Sequence, residues 1–173
     1  MMESIDIPDS VVSIGASKLF QNCTSLKEVS FPSGCDVQFF YNTFEGCTSL
    51  EKATIPASAD CVGRLCFYQC YSLTDVTIED GVGRIEESAF YNCPLLSTIV
   101  IPDSVKTISD HAFQECTGLT DITLSDNLSD VSANMFSDRY FEPVDVSGIT
   151  IRVKADLVSY VQSIYPSATV VAK

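Results

Sequence analysis

Three kinds of side chain in this sequence have the chemistry of a reactive or metal-binding site: eight cysteines, a single histidine and pairs of neighbouring carboxylates. Thiolates act as nucleophiles and zinc ligands, imidazole acts as a general base, and two carboxylates work as acid and base or bind calcium. Each of these functions needs its groups at a defined spacing. The spacing therefore decides which of them the chain supports.

Five of the eight cysteines recur at one position of a repeated pattern, Phe-x-x-Cys-x-x-Leu. They are Cys23, Cys47, Cys70, Cys93 and Cys116. Side chains in one such column run parallel to each other, so we expect buried free thiols that pack as small apolar groups. Cys66 takes the place of a small packing residue. Whether Cys35 and Cys61 form a disulfide is left open by the sequence. Zinc is not predicted, because two close CxxC-like pairs are missing.

The histidine and the carboxylate pairs show no catalytic spacing. His111 occupies a variable and mostly polar position of the repeat, so we expect a solvent-exposed histidine with no nucleophile beside it. The neighbours Glu79/Asp80 and Glu86/Glu87 fall in return loops and are expected to point apart. Since the sequence also lacks a glycine-rich phosphate loop, we predict no enzyme activity, no cofactor and no metal.

The repeated pattern predicts the elements that position these residues. Its five phenylalanines lie 24, 23, 23 and 23 residues apart, at Phe20, Phe44, Phe67, Phe90 and Phe113. Three residues after each leucine, apolar residues alternate with polar ones, as at Ile99 and Ile101, which predicts a strand with one buried face. A second extended segment, as at residues 105–108, and a brief helical turn, over residues 86–90 and 109–113, complete the unit. One unit cannot bury its apolar face alone, so the units must stack.

The repeated string resembles the BspA-type leucine-rich repeat of bacterial surface proteins and some protist proteins. The resemblance rests on Ile101-Pro102-Asp103-Ser104-Val105-x-x-Ile108 followed by Ala112-Phe113-x-x-Cys116-x-x-Leu119, and it covers about residues 2 to 141. The sequence departs from the pattern at Glu79 and Ser125, which replace proline, and at Arg139, which replaces the last cysteine. The resemblance implies a β-dominated α/β repeat solenoid, a right-handed superhelix of about six 23-residue rungs.

The last 32 residues have a different pattern. Residues 149–153 alternate as a strand, residues 155–165 have apolar residues at helical spacing, and residues 168–171 suggest a final strand. We predict one domain over residues 1–173, with repeats over 2–141 and a strand-helix cap over 142–173 that covers the open end of the stack.

Charge and hydropathy exclude several partners. The net charge of -13, from 23 acidic and 10 basic residues, repels phosphate backbones, so no nucleic-acid partner is expected. No apolar run approaches the roughly 18 residues of a membrane span, so we expect no membrane insertion. We also predict a monomer.

The exposed side of the predicted strands is the main candidate for a binding surface. Its residues are Glu28, Ser30, Lys52, Thr54, Asp75, Thr77, Thr98, Asp121 and Thr123. Serine and threonine also simply suit exposed β-structure, and that interpretation stays open. A second candidate is an aromatic patch of Tyr68, Tyr71 and Tyr91, which either binds a sugar or protein or covers a turn.

The resemblance implies an extracellular or cell-surface protein of adhesion type. We therefore predict a non-catalytic scaffold whose strands bind a protein or glycan on another cell or matrix. A carbohydrate-binding module that uses the tyrosines and a purely structural stalk are the alternatives.

Overall fold

The computed structural model describes residues 3–32, 34–38, 41–137 and 145–173. Within these ranges the chain forms fourteen short strands, one 3-10 helix and one α-helix. The strands are β1 (Ser4–Asp6), β2 (Ser13–Gly15), β3 (Glu28–Ser30), β4 (Asp36–Gln38), β5 (Lys52–Ile55), β6 (Cys61–Val62), β7 (Asp75–Ile78), β8 (Arg84–Ile85), β9 (Thr98–Val100), β10 (Thr107–Ile108), β11 (Asp121–Thr123), β12 (Asp130–Val131), β13 (Thr150–Val153) and β14 (Thr169–Ala172). The 3-10 helix is Ala155–Leu157, and the α-helix α1 is Val158–Ile164.

The strands stack into a β-solenoid of about seven turns, in which the described strand pairs are parallel. One rung contains a front strand, a back strand and the turn that leads to the next front strand. The front strands join in the orders β1-β3-β5-β7 and β9-β11-β13-β14, and the back strands in the orders β2-β4 and β6-β8-β10-β12. Equivalent residues of successive rungs lie opposite each other, as Ile5 and Val29 do. The predicted stack of strands is therefore confirmed.

A stack of phenylalanine rings runs through the core. The ring centroids lie 5.2 Å apart for Phe44 and Phe67, 5.2 Å for Phe67 and Phe90, and 5.5 Å for Phe90 and Phe113, with the planes within 8° of parallel. These four side chains and Cys70 beside them are almost fully buried. Burying one large apolar side chain contributes roughly 1.5–3 kcal/mol before entropy is subtracted. The apolar side chains that recur with the repeat period thus form the contact between rungs.

The turns of the rungs are not helical in the described residues, so the helical turns predicted over residues 86–90 and 109–113 are wrong. Two positions in each of five turns have a left-handed backbone, as Ser88 does with φ 56° and Asn92 with φ 59°. A left-handed residue cannot continue a right-handed helix. The amide groups instead bond along the stack, as the Asn92 N–H does to the Gln114 carbonyl oxygen at 2.8 Å. The turns therefore add a third column of hydrogen bonds between rungs.

His111 is buried, so the predicted solvent-exposed histidine is also wrong. Only 8% of the residue is exposed, and its backbone has the left-handed φ of 58°. The ring nitrogen Nδ1 lies 2.9 Å from the carbonyl oxygen of Ser137. This contact joins His111 to the following turn of the solenoid, which a pattern within one repeat does not reveal.

The C-terminal strands and helix lie where the sequence predicts them. Strand β13 continues the front beside β11, with Ile151 opposite Ile122, and β14 pairs with β13. Helix α1 buries Val161 and ends shortly before Pro166. That residues 142–173 act as a cap on repeats over 2–141 stays a prediction. Arg139 lies outside the described residues.

Candidate binding surface

The predicted ligand-binding residues lie in two columns on the front of the solenoid, and we call these nine residues the strand ladder. In the first column Glu28, Lys52 and Asp75 lie opposite one another on β3, β5 and β7. Strands paired in this way are about 4.7–4.9 Å apart. Seven of the nine residues are exposed, whereas Asp121 and Thr123 are partly buried. The structure therefore brings the predicted residues onto one surface.

The two halves of the strand ladder differ in how their charges are paired. In the N-terminal half, Lys52 stands between Glu28 and Asp75, and no ion pair joins any of the three to another described residue. In the C-terminal half, Arg152 donates three hydrogen bonds to the Asp121 carboxylate, at 3.1, 3.0 and 2.7 Å. Hydrogen bonding to Asp121 raises the pKa of the Arg152 guanidinium. The unpaired charge of the ladder is thus in its N-terminal half.

Arg152 is a front residue that sequence reasoning missed as part of the ladder. Strand β13 places it opposite Thr123. Its neighbours Ile151 and Val153 are buried while Arg152 is exposed. That alternation is the sequence signal that could have found it. Val100 on β9 also lies on the front and is 62% exposed; it is opposite Thr123 on the side of β11 away from β13.

The predicted aromatic patch contains a stacked pair rather than an open platform. The rings of Tyr68 and Tyr91 lie 5.0 Å apart with an angle of 16° between their planes. The Tyr91 hydroxyl donates a hydrogen bond to Glu115 at 3.1 Å. Rings stacked from rung to rung turn their faces along the stack and their edges outward. Because a sugar packs on a ring face, this geometry favours tyrosines that cover the turns; Tyr71, 39% exposed, is the most open of the three.

The cysteine column has the chemistry of a packing group. Its buried thiols each donate a hydrogen bond to the phenylalanine carbonyl one rung earlier, with sulfur to oxygen distances of 3.1, 3.2, 3.2 and 3.0 Å for Cys47, Cys70, Cys93 and Cys116. Burial raises the pKa of the Cys47 thiol to about 12. Since the thiolate is the reactive form, these groups are poor nucleophiles. The predicted burial is confirmed for these four, and none of the eight cysteines forms a disulfide.

A cleft of about 510 Å³ opens where the rungs of β3 and β5 turn from front to back. The sequence contains its cause. Val37 follows Phe31 by six positions, whereas Val62 follows Ile55 by seven. The rung of β3 therefore lacks one corner residue, and its back strand β4 is not paired with β6. We call this feature the corner cleft.

The side chain of Ser58 replaces backbone hydrogen bonds at the shortened corner. Its hydroxyl donates to the Cys35 carbonyl oxygen at 2.7 Å and accepts from the Val37 N–H at 3.4 Å. One rung later, the Gly83 N–H reaches the Asp60 carbonyl oxygen at 3.0 Å through the backbone alone. The corner cleft is thus a defined irregularity of the stack.

The described residues hold no other arrangement with evident chemistry. No group of three or more histidine, cysteine, aspartate or glutamate side chains in the described ranges is placed to hold a metal ion. A helix long and apolar enough to cross a membrane is not found in the described part of the chain.

Comparison with known proteins gives one family and several similar structures. The model of the family described as BspA type leucine rich repeat region matches the chain in six copies, over residues 1–42 and 37–164. No curated protein sequence matches the chain.

The similar solved structures are leucine-rich-repeat proteins. A leucine rich repeat protein of T. pallidum is 27% identical, with a TM-score of 0.61 over 70% of this chain and 58% of its own. One from Bacteroides ovatus is 25% identical, with a TM-score of 0.75 over 99% of this chain and 42% of its own. A leucine rich cell surface protein from Faecalibacterium prausnitzii is 23% identical, with a TM-score of 0.58 over 99% of this chain and 57% of its own, and at that identity the likeness shows the fold alone. The chain thus spans about 42–58% of the length of these structures.

Proposed function

The chain belongs to the BspA-type leucine-rich-repeat family, and from this premise we propose that it is a non-catalytic scaffold that binds a protein partner through the strand ladder. Family membership and the similar structures support a repeat scaffold for protein interaction. The observation that carries the proposal is the row of exposed charges at Glu28, Lys52 and Asp75, which form no ion pair with a described residue.

A row of unpaired charges on a rigid surface suits recognition. Charged groups fixed at an interface set orientation and association rate, and they reject partners with like charges opposite them. The three residues sit on paired parallel strands, so their order of negative, positive and negative charge is held in register. A protein surface with the reverse order is complementary to it. Ser30, Thr54 and Thr77 beside them offer hydroxyl groups for hydrogen bonds.

The proposal is tested with a charge exchange that keeps the net charge constant. The protein is immobilised, and its binding to a panel of extracellular-matrix proteins and to intact cells is measured for wild type and for the double variant Lys52→Glu/Asp75→Lys. We expect the variant to lose at least about tenfold in affinity for the partner, since like charges then meet across the interface.

A matched variant separates the strand ladder from the rest of the surface. Arg64 and Glu87 form an exposed ion pair at 3.3 Å in the turns. The exchange Arg64→Glu/Glu87→Arg retains the pair and the net charge, so it should leave binding unchanged. Equal binding by wild type and both variants, or no binding to any member of the panel, would rule out the strand ladder as the binding surface.

We also propose that the protein acts at the cell surface or outside the cell. The support is membership of a family found on bacterial surface proteins. Digestion of intact source cells with an added protease tests this location. A surface protein is cleaved while the cells remain closed, whereas a protein that is cleaved only after lysis lies inside.

A further inference from the structure

We propose that the corner cleft receives a lysine or arginine side chain of the protein partner. This inference rests on the proposed function and adds the chemistry of one contact to it. Three ladder residues line the cleft: Glu28, Ser30 and Thr54. A partner that lies on the N-terminal half of the strand ladder therefore also covers the cleft.

The shape of the cleft follows from the missing corner residue. Its volume of about 510 Å³ lies within the roughly 300–1,000 Å³ typical of ligand pockets. Pro32 and Pro56, which end the strands of two successive rungs, and the exposed Ala57 supply apolar walls. The aliphatic stem of a lysine or arginine side chain packs well on such walls while its charged end stays near water. The shape and lining thus fit a long side chain with an apolar stem.

Two carboxylates give the cleft its preference for a cation. Glu28 is exposed and makes no hydrogen bond or ion pair through its side chain to another described residue. Glu79 lies two rungs after Glu28, and its Oε2 accepts a hydrogen bond from the Ala57 N–H at 2.9 Å, which holds the side chain in place. Its Oε1 has no partner in the described part of the chain. Both residues line the cleft. A guanidinium or ammonium group in the cleft can form a charge-assisted hydrogen bond with either carboxylate.

The basic residues of the chain near Glu28 do not occupy this position. Lys52 lies opposite Glu28 in the strand ladder, but it does not line the cleft and forms no ion pair with a described residue. Lys27 points to the preceding rung, where its Nζ binds Glu3 at 2.9 Å. Neither Glu28 nor Glu79 is paired with these lysines, so both carboxylates are available to a cation from another molecule.

The probe for this site is a tetra-arginine peptide, with tetra-citrulline as its uncharged counterpart of the same shape. Binding is followed at low salt by changes in the amide resonances of the isotope-labelled protein, which also locate the site. We expect tetra-arginine to shift the amides of Ser30, Thr54, Ala57 and Ser58 most strongly, and tetra-citrulline to leave them nearly unchanged. Shifts spread over all acidic parts of the surface would overturn the proposal.

Paired variants separate the cleft from the general attraction of an acidic protein for a cation. Glu28→Gln/Glu79→Gln should weaken tetra-arginine binding about tenfold, as expected when two partly exposed ion pairs are lost. Glu51→Gln/Glu115→Gln removes the same charge from exposed positions outside the cleft and should change binding less than about twofold. The proposal is wrong if both pairs weaken binding equally. Circular dichroism of each variant checks that the solenoid is intact.

This experiment fails independently of the one on the strand ladder. If the charge exchange at Lys52 and Asp75 abolishes partner binding but tetra-arginine does not bind the cleft, the ladder stands and the cleft does not. If tetra-arginine binds the cleft but no partner depends on the ladder, the cleft stands as a cation site and the proposed function fails.

Discussion

The thiol of Cys93 donates a hydrogen bond to the carbonyl oxygen of Phe67, 3.2 Å away in the preceding rung. The same oxygen accepts the Cys70 N–H at 3.2 Å, so the turn and the thiol share one acceptor. Cysteine suits this position because it is small, apolar enough to be buried, and still a weak donor. The bond recurs in four successive rungs and explains the repeated cysteine better than disulfide or metal chemistry does.

The first prediction concerns how much a buried cysteine of this column contributes to the stability of the fold. Cys93→Ala should lower the free energy of unfolding by about 1–2 kcal/mol, because it removes a buried side chain and its hydrogen bond. Cys23→Ala is the matched control, since Cys23 has the same repeat position but is only partly buried. It should cost less than about 1 kcal/mol. Urea denaturation followed by circular dichroism measures both, and equal losses would contradict the account of the cysteine column.

The second prediction is a loss of stability at alkaline pH. Burial raises the pKa of the Cys47 thiol from its ordinary value of 9.0 to about 12, so the folded state keeps a proton that the unfolded state releases. The stabilisation is therefore complete below pH 9 and is lost as the pH rises towards 12. Burial also raises the pKa of Cys70 and Cys93. The free energy of unfolding should fall steadily above pH 9.

Cys47→Ala isolates one thiol in this experiment. The variant has no group at residue 47 that ionises, so its stability should fall less steeply with pH than that of the wild type. The difference in the free energy of unfolding between wild type and variant, measured by urea denaturation at pH 7, 9 and 10, should shrink as the pH rises. A constant difference would show that ionisation of Cys47 does not contribute.

The third prediction tests the ring stack. Phe90 contacts a ring on each side, at 5.2 Å and 5.5 Å, and is fully buried. Phe90→Ala should lower the free energy of unfolding by about 3–5 kcal/mol. Phe20 stacks in the described residues on Phe44, at 5.2 Å, and is 8% exposed, so Phe20→Ala should cost clearly less. The reverse order in a urea titration would contradict a core made by contacts between rungs.

The fourth prediction compares two glycines to separate the stability cost of a left-handed backbone from the cost of a steric clash. Gly34 has φ 84° with open space around it, whereas Gly81 has φ 137° and a Cβ there would lie 2.5 Å from the Ala57 carbonyl oxygen. Gly34→Ala should therefore cost about 1 kcal/mol for the conformation alone. Gly81→Ala should cost more, because the backbone must also move.

Gly148 is the control for this series. It has neither a left-handed φ nor an atom within 4 Å of an added Cβ. Gly148→Ala should change the free energy of unfolding by less than about 0.5 kcal/mol. If all three variants have the same thermal midpoint, the corner at Gly81 is not the close contact that the structure shows.

The failures of sequence reasoning have a common physical origin. A polar start followed by an apolar anchor predicts a helical turn over residues 86–90, but the left-handed backbone of Ser88 and Asn92 excludes a helix. Asn22, Asn92 and Gly46 at these positions were the available signal, because asparagine and glycine favour a left-handed backbone. His111 was expected in solvent because its position is polar in other repeats, yet its ring is buried against the carbonyl of Ser137, 26 positions along the chain.

The sequence by itself determined the period, the strands and the buried columns, since every rung places equivalent residues against the same residues of its neighbours. A contact that recurs in every rung can therefore be predicted from the amino-acid sequence alone. The tertiary structure alone decided which charges are left unpaired and that the shortened corner opens a cleft. Asp121 is neutralised by Arg152, 31 positions away, and the corner cleft arises because one missing residue near Cys35 faces a complete corner around Ala59. Such features depend on which atoms of one rung contact those of the next in space, and the order of the residues does not record those contacts.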